Sequence, residues 1–198
     1  MKKIVFASKN KGKIKELKAL LEGIDVELVS IADYPGIPDI IEDGSSFFEN
    51  AIKKARSIFD YTGQMVIADD SGLEVDYLGG RPGVHSSRYA GDDATDEDNI
   101  EKLLSELAGI PHDQRGAAFR CVLILLESSD KYESFEGKLE GKIGMEPKGH
   151  EGFGYDPVFI APEYGRTIAE LSGSIKNRIS HRAIAFQKLK KSLKEKIK

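Results

Sequence analysis

Four groups of residues in this 198-residue chain have the types and spacing to do chemistry. The first is Ala7-Ser8-Lys9-Asn10-Lys11-Gly12-Lys13, between a short apolar run and a helical pattern. Backbone N–H groups at a helix start form an anion site; Lys13 adds a charge there, and Ser8 and Asn10 add hydrogen-bonding groups. The stretch is not a Walker A loop, because Ala7 stands where the first glycine belongs and Ile14 where the magnesium-holding Ser/Thr belongs. A lysine-rich turn is the plain alternative. The second group is Glu42-Asp43-Gly44 with Asp69-Asp70-Ser71-Gly72. Carboxylates from separate elements share a hard cation well, since Mg²⁺ favours one or two of them plus substrate phosphates. Adjacent aspartates on a strand point to opposite faces, so only one need serve, and periodicity does not choose which. Turn chemistry is the alternative for Asp-Ser-Gly.

The third group, Gly152-Phe153-Gly154-Tyr155-Asp156-Pro157, holds an aromatic ring between glycines, where a flat ligand could stack beside Asp156. It lacks the spacing of a dinucleotide fingerprint, and taken alone a core aromatic in a glycine-rich turn explains it slightly better. The fourth, Lys176 with Ser180-His181-Arg182, offers cations and helix-start N–H groups to an anionic or carbonyl-rich ligand; helix capping by Ser180 is the alternative. His85, His112 and His150 lack metal-site spacing, and Cys121 lies in an apolar strand pattern that reads as core.

These groups need elements to position them. Lys2–Ala7 reads as a buried strand, Lys13–Glu22 as a helix with Ile14, Leu17 and Leu21 on one face, and Val26–Ile31 as a second strand. Pro35 and Pro38 mark a loop. Ser46 and Glu49 have capping-box spacing before a helix whose apolar stripe is Phe48, Ala51, Ile52, Ala55, Ile58 and Phe59. Met65–Ala68 is a strand that runs into the Asp-Asp-Ser-Gly turn, with Leu73–Leu78 returning. Thr95 and Asp98 cap a third helix that buries Ile100, Leu103, Leu104 and Leu107. Ala117–Glu127 and Tyr132–Ile143 form a long hairpin, Pro157–Ile160 a short strand, and Ser180–Lys196 a final helix with Leu189 and Leu193 inside. Early β–α alternation followed by a hairpin predicts a mixed α/β sheet.

Composition narrows the classes. At 40% hydrophobic and 31% charged residues the chain is globular, and without internal repeats or linkers it reads as one domain, residues 1–198. The apolar run after Met1-Lys2-Lys3 is too short for a signal peptide, and the longest run, Cys121–Leu126, is too short for a membrane span. One cysteine excludes a disulfide framework and multi-cysteine zinc sites, and it fits a reducing, cytoplasmic setting. The net charge is −4, although Lys176–Lys198 carries nine Lys or Arg against Glu195 alone. No aromatic residues interleave with the lysines after Gln187, so a solvated helix face fits better than a nucleic-acid surface.

In their joint order these motifs resemble the inosine triphosphate pyrophosphatase family, also called XTP/dITP diphosphatases. Matching stretches are Ala7–Glu16, Glu42-Asp43-Gly44 with Glu49-Asn50-Ala51 and Lys54-Ala55, and Ala68–Leu73. Gly79-Gly80 with Pro82-Gly83, Ser87-Arg88-Tyr89, Gly152–Pro157 and Ile179–Arg182 complete the set, over about residues 4–189. The resemblance implies an elongated mixed β-sheet flanked by helices, with two lobes, a central active-site cleft and a homodimer. It implies that Ser8, Lys9, Asn10, Lys11, Gly12 and Lys13 bind a triphosphate toward which Lys54 points. Asp70 would be the general base or a metal-linked acid, Glu42 a further Mg²⁺ ligand, and Ser71 a substrate contact. Phe153, Gly154, Tyr155, Asp156, Lys176, His181 and Arg182 would form the base and sugar side. His150-Glu151 departs from the small residues usual before Gly152, and Ser8 stands where threonine is common but keeps the hydroxyl. The expected reaction is Mg²⁺-dependent hydrolysis of ITP, dITP and XTP to monophosphate and pyrophosphate. A purine nucleotide-binding protein without turnover would keep the basic loops and not need Asp70 or Glu42.

Overall fold

The computed structural model describes residues 2–37 and 40–196; Pro38 of the expected loop lies outside them. Strand β1 (Lys2–Phe6) is parallel to β2 (Val26–Ser30) on one side and to β3 (Met65–Val75) on the other. With β4 (Gly116–Ser128), β5 (Lys131–Ile143), β6 (Phe159–Ala161) and β7 (Arg166–Thr167) they make a seven-stranded sheet ordered β2-β1-β3-β4-β5-β6-β7. β6 is antiparallel to both β5 and β7. The mixed α/β architecture expected from the pattern is present. Five α-helices lie among the described residues: α1 (Lys11–Leu20), α2 (Phe47–Thr62), α3 (Asp96–Glu106), α4 (Gly173–Ile179) and α5 (His181–Lys196).

Two expectations need correction. The Asp69–Gly72 stretch is not a turn: β3 runs unbroken to Val75, where a 3₁₀ turn over Asp76–Leu78 ends it. Burial overrides local turn preference here, since Leu73 and Val75 are wholly buried. The last helix is also preceded by a separate one, α4, and Ser180 between them is extended.

The fold comprises two compact units, each assembled from separate chain segments. Residues 2–70, 121–137 and 182–196 form one. Its core joins Ile4 and Phe6 of β1, Met65 and Ile67 of β3, and Cys121, Leu123 and Leu125 of β4 to Leu17 and Leu21 of the α1 segment and Phe186, Leu189 and Leu193 of α5. Residues 71–120 and 138–181 form the other, cored by Leu73, Val75, Leu103, Leu107, Phe119, Val158 and Phe159. Thr95 and Asp98 form the expected reciprocal cap of α3. At α2 only half the expected box forms: Ser46 accepts from the Glu49 amide, whereas the Glu49 carboxylate turns back to the Ser45 amide and hydroxyl.

Candidate active site

The stripe that α2 buries is Phe47, Asn50, Ala51, Lys54, Ala55 and Ile58, the three-and-four spacing of a core-facing helix. Phe48, Ile52 and Phe59, expected in it, are only half-buried. Two polar residues thus occupy core positions, where each needs a partner. Asn50 Nδ2 donates to Asp70 Oδ2 at 3.2 Å, and its Oδ1 accepts from the Gly44 amide at 2.7 Å. Lys54 Nζ donates to the Asp69 carbonyl at 2.9 Å and pairs with Glu42 at 2.9 Å. Asn50 and Lys54 therefore tie the Glu42–Gly44 loop to the aspartates of β3. In sequence, the signal for Asn50 is a polar residue inside an apolar helical stripe.

The aspartates divide as strand alternation requires. Asp69 shares a parity with Met65 and Ile67 and meets Lys13 of α1 at 2.8 Å and the Arg182 guanidinium of α5 at 3.9 Å. Asp70, on the opposite parity, meets α2. Burial would push both carboxyls up. For Asp69 the charges of Lys13, Lys54 and Arg182 overcome it and hold the group at about 2. For Asp70 burial wins over Lys54 and Lys13, and with Glu42 and Asp69 adding repulsion the carboxyl rises to about 6. Lys54 loses some basicity to burial, but Asp69, Glu42 and Asp70 more than restore it, so its ammonium is held above the ordinary range.

The loop before α1 is itself ordered. The Ser30 hydroxyl donates to the Ser8 carbonyl at 2.9 Å, the Asn10 amide donates to Ser8 Oγ at 3.2 Å, and Asn10 Oδ1 caps α1 through the Lys13 amide at 3.0 Å. Lys9 and Lys11 are exposed and Gly12 is half-buried. The first unit thus gathers Ser8–Lys13, Glu42, Lys54 and Asp70 of the predicted residues. It also holds Arg182, whose Nη1 lies 3.2 Å from Glu16, a partner the sequence reading had not singled out.

The second unit holds Ser71, half-buried on β3, and the Gly152–Asp156 loop with Lys176 and His181. Asp156 Oδ2 accepts from the Phe153 amide at 3.0 Å and from Lys176 Nζ at 2.6 Å, and that ammonium lies 4.6 Å from the centre of the Phe153 ring. A Cβ at Gly152, where φ is +88°, would fall 2.1 Å from Asp156 Oδ2, so only glycine fits. Tyr155 turns into the core and donates its hydroxyl to the Ser86 carbonyl at 2.9 Å. His181 stacks on Phe119 at 4.8 Å, in the same unit. His181 and Arg182 are adjacent at the start of α5 yet meet different partners, Phe119 for His181 and Glu16 and Asp69 for Arg182, because consecutive residues of a helix point about 100° apart.

Among the described residues no three His, Cys, Asp or Glu side chains group into a metal cage. Mg²⁺ needs no such cage when substrate phosphates complete its shell. Asp70 suits it: burial raises this carboxyl and Glu42 adds repulsion, and a hard dication would relieve both.

Residues 4–192 match the model of the Ham1 family. The chain belongs to that family. This Ham1 chain is 50% identical over 189 residues to the dITP/XTP pyrophosphatase of Bacillus licheniformis, covering 96% of each chain. It is 49% identical over 193 residues to the enzyme of that name from Bacillus subtilis, covering 98% of each. Its backbone matches the solved HAM1 protein of Coxiella burnetii with a TM-score of 0.91 at 44% identity, covering 98% of this chain and 100% of the other.

Proposed function

We propose that this Ham1 chain hydrolyses the deaminated purine nucleoside triphosphates ITP, dITP and XTP to the monophosphate and pyrophosphate, with Mg²⁺ as cofactor. The observation that carries the substrate class is the 50% identity, over 96% of both chains, to a dITP/XTP pyrophosphatase. The acid–lysine cluster supplies the chemistry. Asp70, whose carboxyl burial raises to about 6 in the metal-free chain, would take a proton from the attacking water. Glu42 and Asp70 would hold Mg²⁺, which when bound neutralises phosphate charge and aids attack at phosphorus. Lys13, Lys54 and the amides of the Ser8–Lys13 loop stabilise negative charge on the leaving pyrophosphate. Attack at the α-phosphorus follows, with Ser71 as a further contact.

Purine recognition falls to the second-unit cluster: Phe153 stacks on the base, Asp156 and Lys176 offer charged groups beside it, and His181 is a donor that the resemblance implies. Arg182 is the further donor that the resemblance implies. Donors there favour the 6-carbonyl of a deaminated base and oppose the 6-amino group of adenine. We also infer a homodimer acting in the cytoplasm, which equilibrium sedimentation and cell fractionation test. A panel of nucleoside triphosphates with Mg²⁺, assayed separately for pyrophosphate and orthophosphate, tests the reaction. One pyrophosphate per nucleotide is expected, with ITP and XTP far ahead of ATP. Orthophosphate as the primary product would refute the assignment.

A further inference from the structure

In the Gly152–Asp156 loop glycines flank Phe153, and both have positive φ, +88° at Gly152 and +62° at Gly154, so the ring sits on a backbone with few steric restraints of its own. An aromatic ring on so free a backbone stacks poorly unless the loop is fixed beforehand, since ordering it on binding subtracts from affinity. Tyr155 and Asp156 anchor its C-terminal end, and two consecutive amides hold the part that carries the ring. The Phe153 N–H donates to Asp156 Oδ2, a bond made within the loop. The Gly154 N–H donates to Asp96 Oδ2 at 2.6 Å, a bond that reaches 58 residues along the chain to the first turn of α3. Asp96 is not needed to cap that helix: Thr95 and Asp98 already form the reciprocal cap. Its carboxylate is therefore available for the loop, and α3 is anchored by the buried Ile100 and Leu103.

We propose that Asp96 is a positioning residue for purine recognition, holding the Phe153 ring ready by accepting the Gly154 amide. The inference rests on the reading of Phe153 as the base platform. What the loop requires is an acceptor at position 96 rather than a negative charge. Asp96→Asn keeps an acceptor oxygen of the same reach, whereas Asp96→Ala keeps neither acceptor nor charge. Loss of one hydrogen bond at a half-exposed loop corresponds to roughly a fivefold to tenfold effect on binding.

The test measures kcat and KM for pyrophosphate release from ITP with Mg²⁺ in wild type, D96N, D96A and F153A, and inhibition of each by inorganic tripolyphosphate. Expected are a fivefold to tenfold higher KM in D96A with kcat within twofold, and a D96N enzyme within twofold of wild type in both. Tripolyphosphate, which has no base, should inhibit all four equally. An equal KM rise in D96N and D96A would make the effect one of charge and overturn the proposal, as would a matching loss of tripolyphosphate inhibition in D96A. If F153A raises KM and D96A does not, the positioning role fails while the platform stands. If F153A itself leaves KM unchanged, the platform reading fails, and the positioning role with it.

Discussion

Replacing Asp70 by asparagine tests the site through stability, independently of turnover. The carboxyl titrates at about 6 in the folded chain against 3.8 for an ordinary aspartate. Between those values the folded chain keeps a proton that the unfolded chain has released, so stability falls as pH rises through this window and then levels off. The gap corresponds to about 3 kcal/mol lost above pH 6, at about 1.4 kcal/mol per pH unit. Asp70 is only 6% exposed, so solvent screens little of this. Asparagine removes the charge and keeps the shape, and its Oδ1 still accepts from Asn50 Nδ2. In EDTA, Asp70→Asn should therefore be more stable than wild type by about 2–3 kcal/mol at pH 7.5, narrowing to about 1 kcal/mol at pH 4.5. Urea unfolding of both proteins at the two pH values measures the difference, and most other carboxylates titrate alike in both and cancel. Millimolar Mg²⁺ should close part of the gap at pH 7.5 by stabilising wild type alone, while turnover of the variant falls about 10²–10⁴-fold. A difference that does not change with pH, or a variant less stable at pH 7.5, would refute the account of Asp70 as a buried carboxylate held ionised against its environment.

The neighbouring aspartate should respond in the opposite sense. Asp69 is held at about 2, so its contribution is fully present above pH 3.8 and is lost as pH falls toward 2. Asp69→Asn should thus cost about 2 kcal/mol at pH 7, with the difference closing below about pH 4 in acid titrations of both proteins. Gly44→Ala would place a methyl 2.7 Å from Asn50 Oδ1 and 2.8 Å from Glu49 Cβ, displacing Asn50 from Asp70. Its kcat should fall at least about tenfold, and an unchanged kcat would remove Asn50 from the site. Lys176→Met removes the ammonium that pairs with Asp156, which is 4% exposed and keeps the Phe153 amide as a donor, and should destabilise the fold by about 1–3 kcal/mol in urea. A loss below about 1 kcal/mol would mean that water or another group compensates.

Much of this molecule follows from local pattern. The α3 cap needs only Thr95 and Asp98 three apart, and the β4–β5 hairpin needs a continuous apolar run and a polar run of β-forming residues around a two-residue turn, Ser129-Asp130. Strand alternation also requires that Asp69 and Asp70 face opposite ways. Which of them meets which helix is not local. α1 and α5 place Lys13 and Arg182 on the Asp69 face, and α2 places Asn50 on the Asp70 face, so residues far apart in the chain set one carboxyl at about 2 and its neighbour at about 6. The same reason explains the misread turn. Asp-Asp-Ser-Gly favours a turn in isolation, but sheet neighbours and a buried Leu73 and Val75 hold it extended. The sequence by itself determined the residue types, the faces they alternate between and the elements that carry them. Only the tertiary structure decided which charges share a low-dielectric interior, because burial and Coulomb attraction depend on distances between elements that no spacing along the chain encodes.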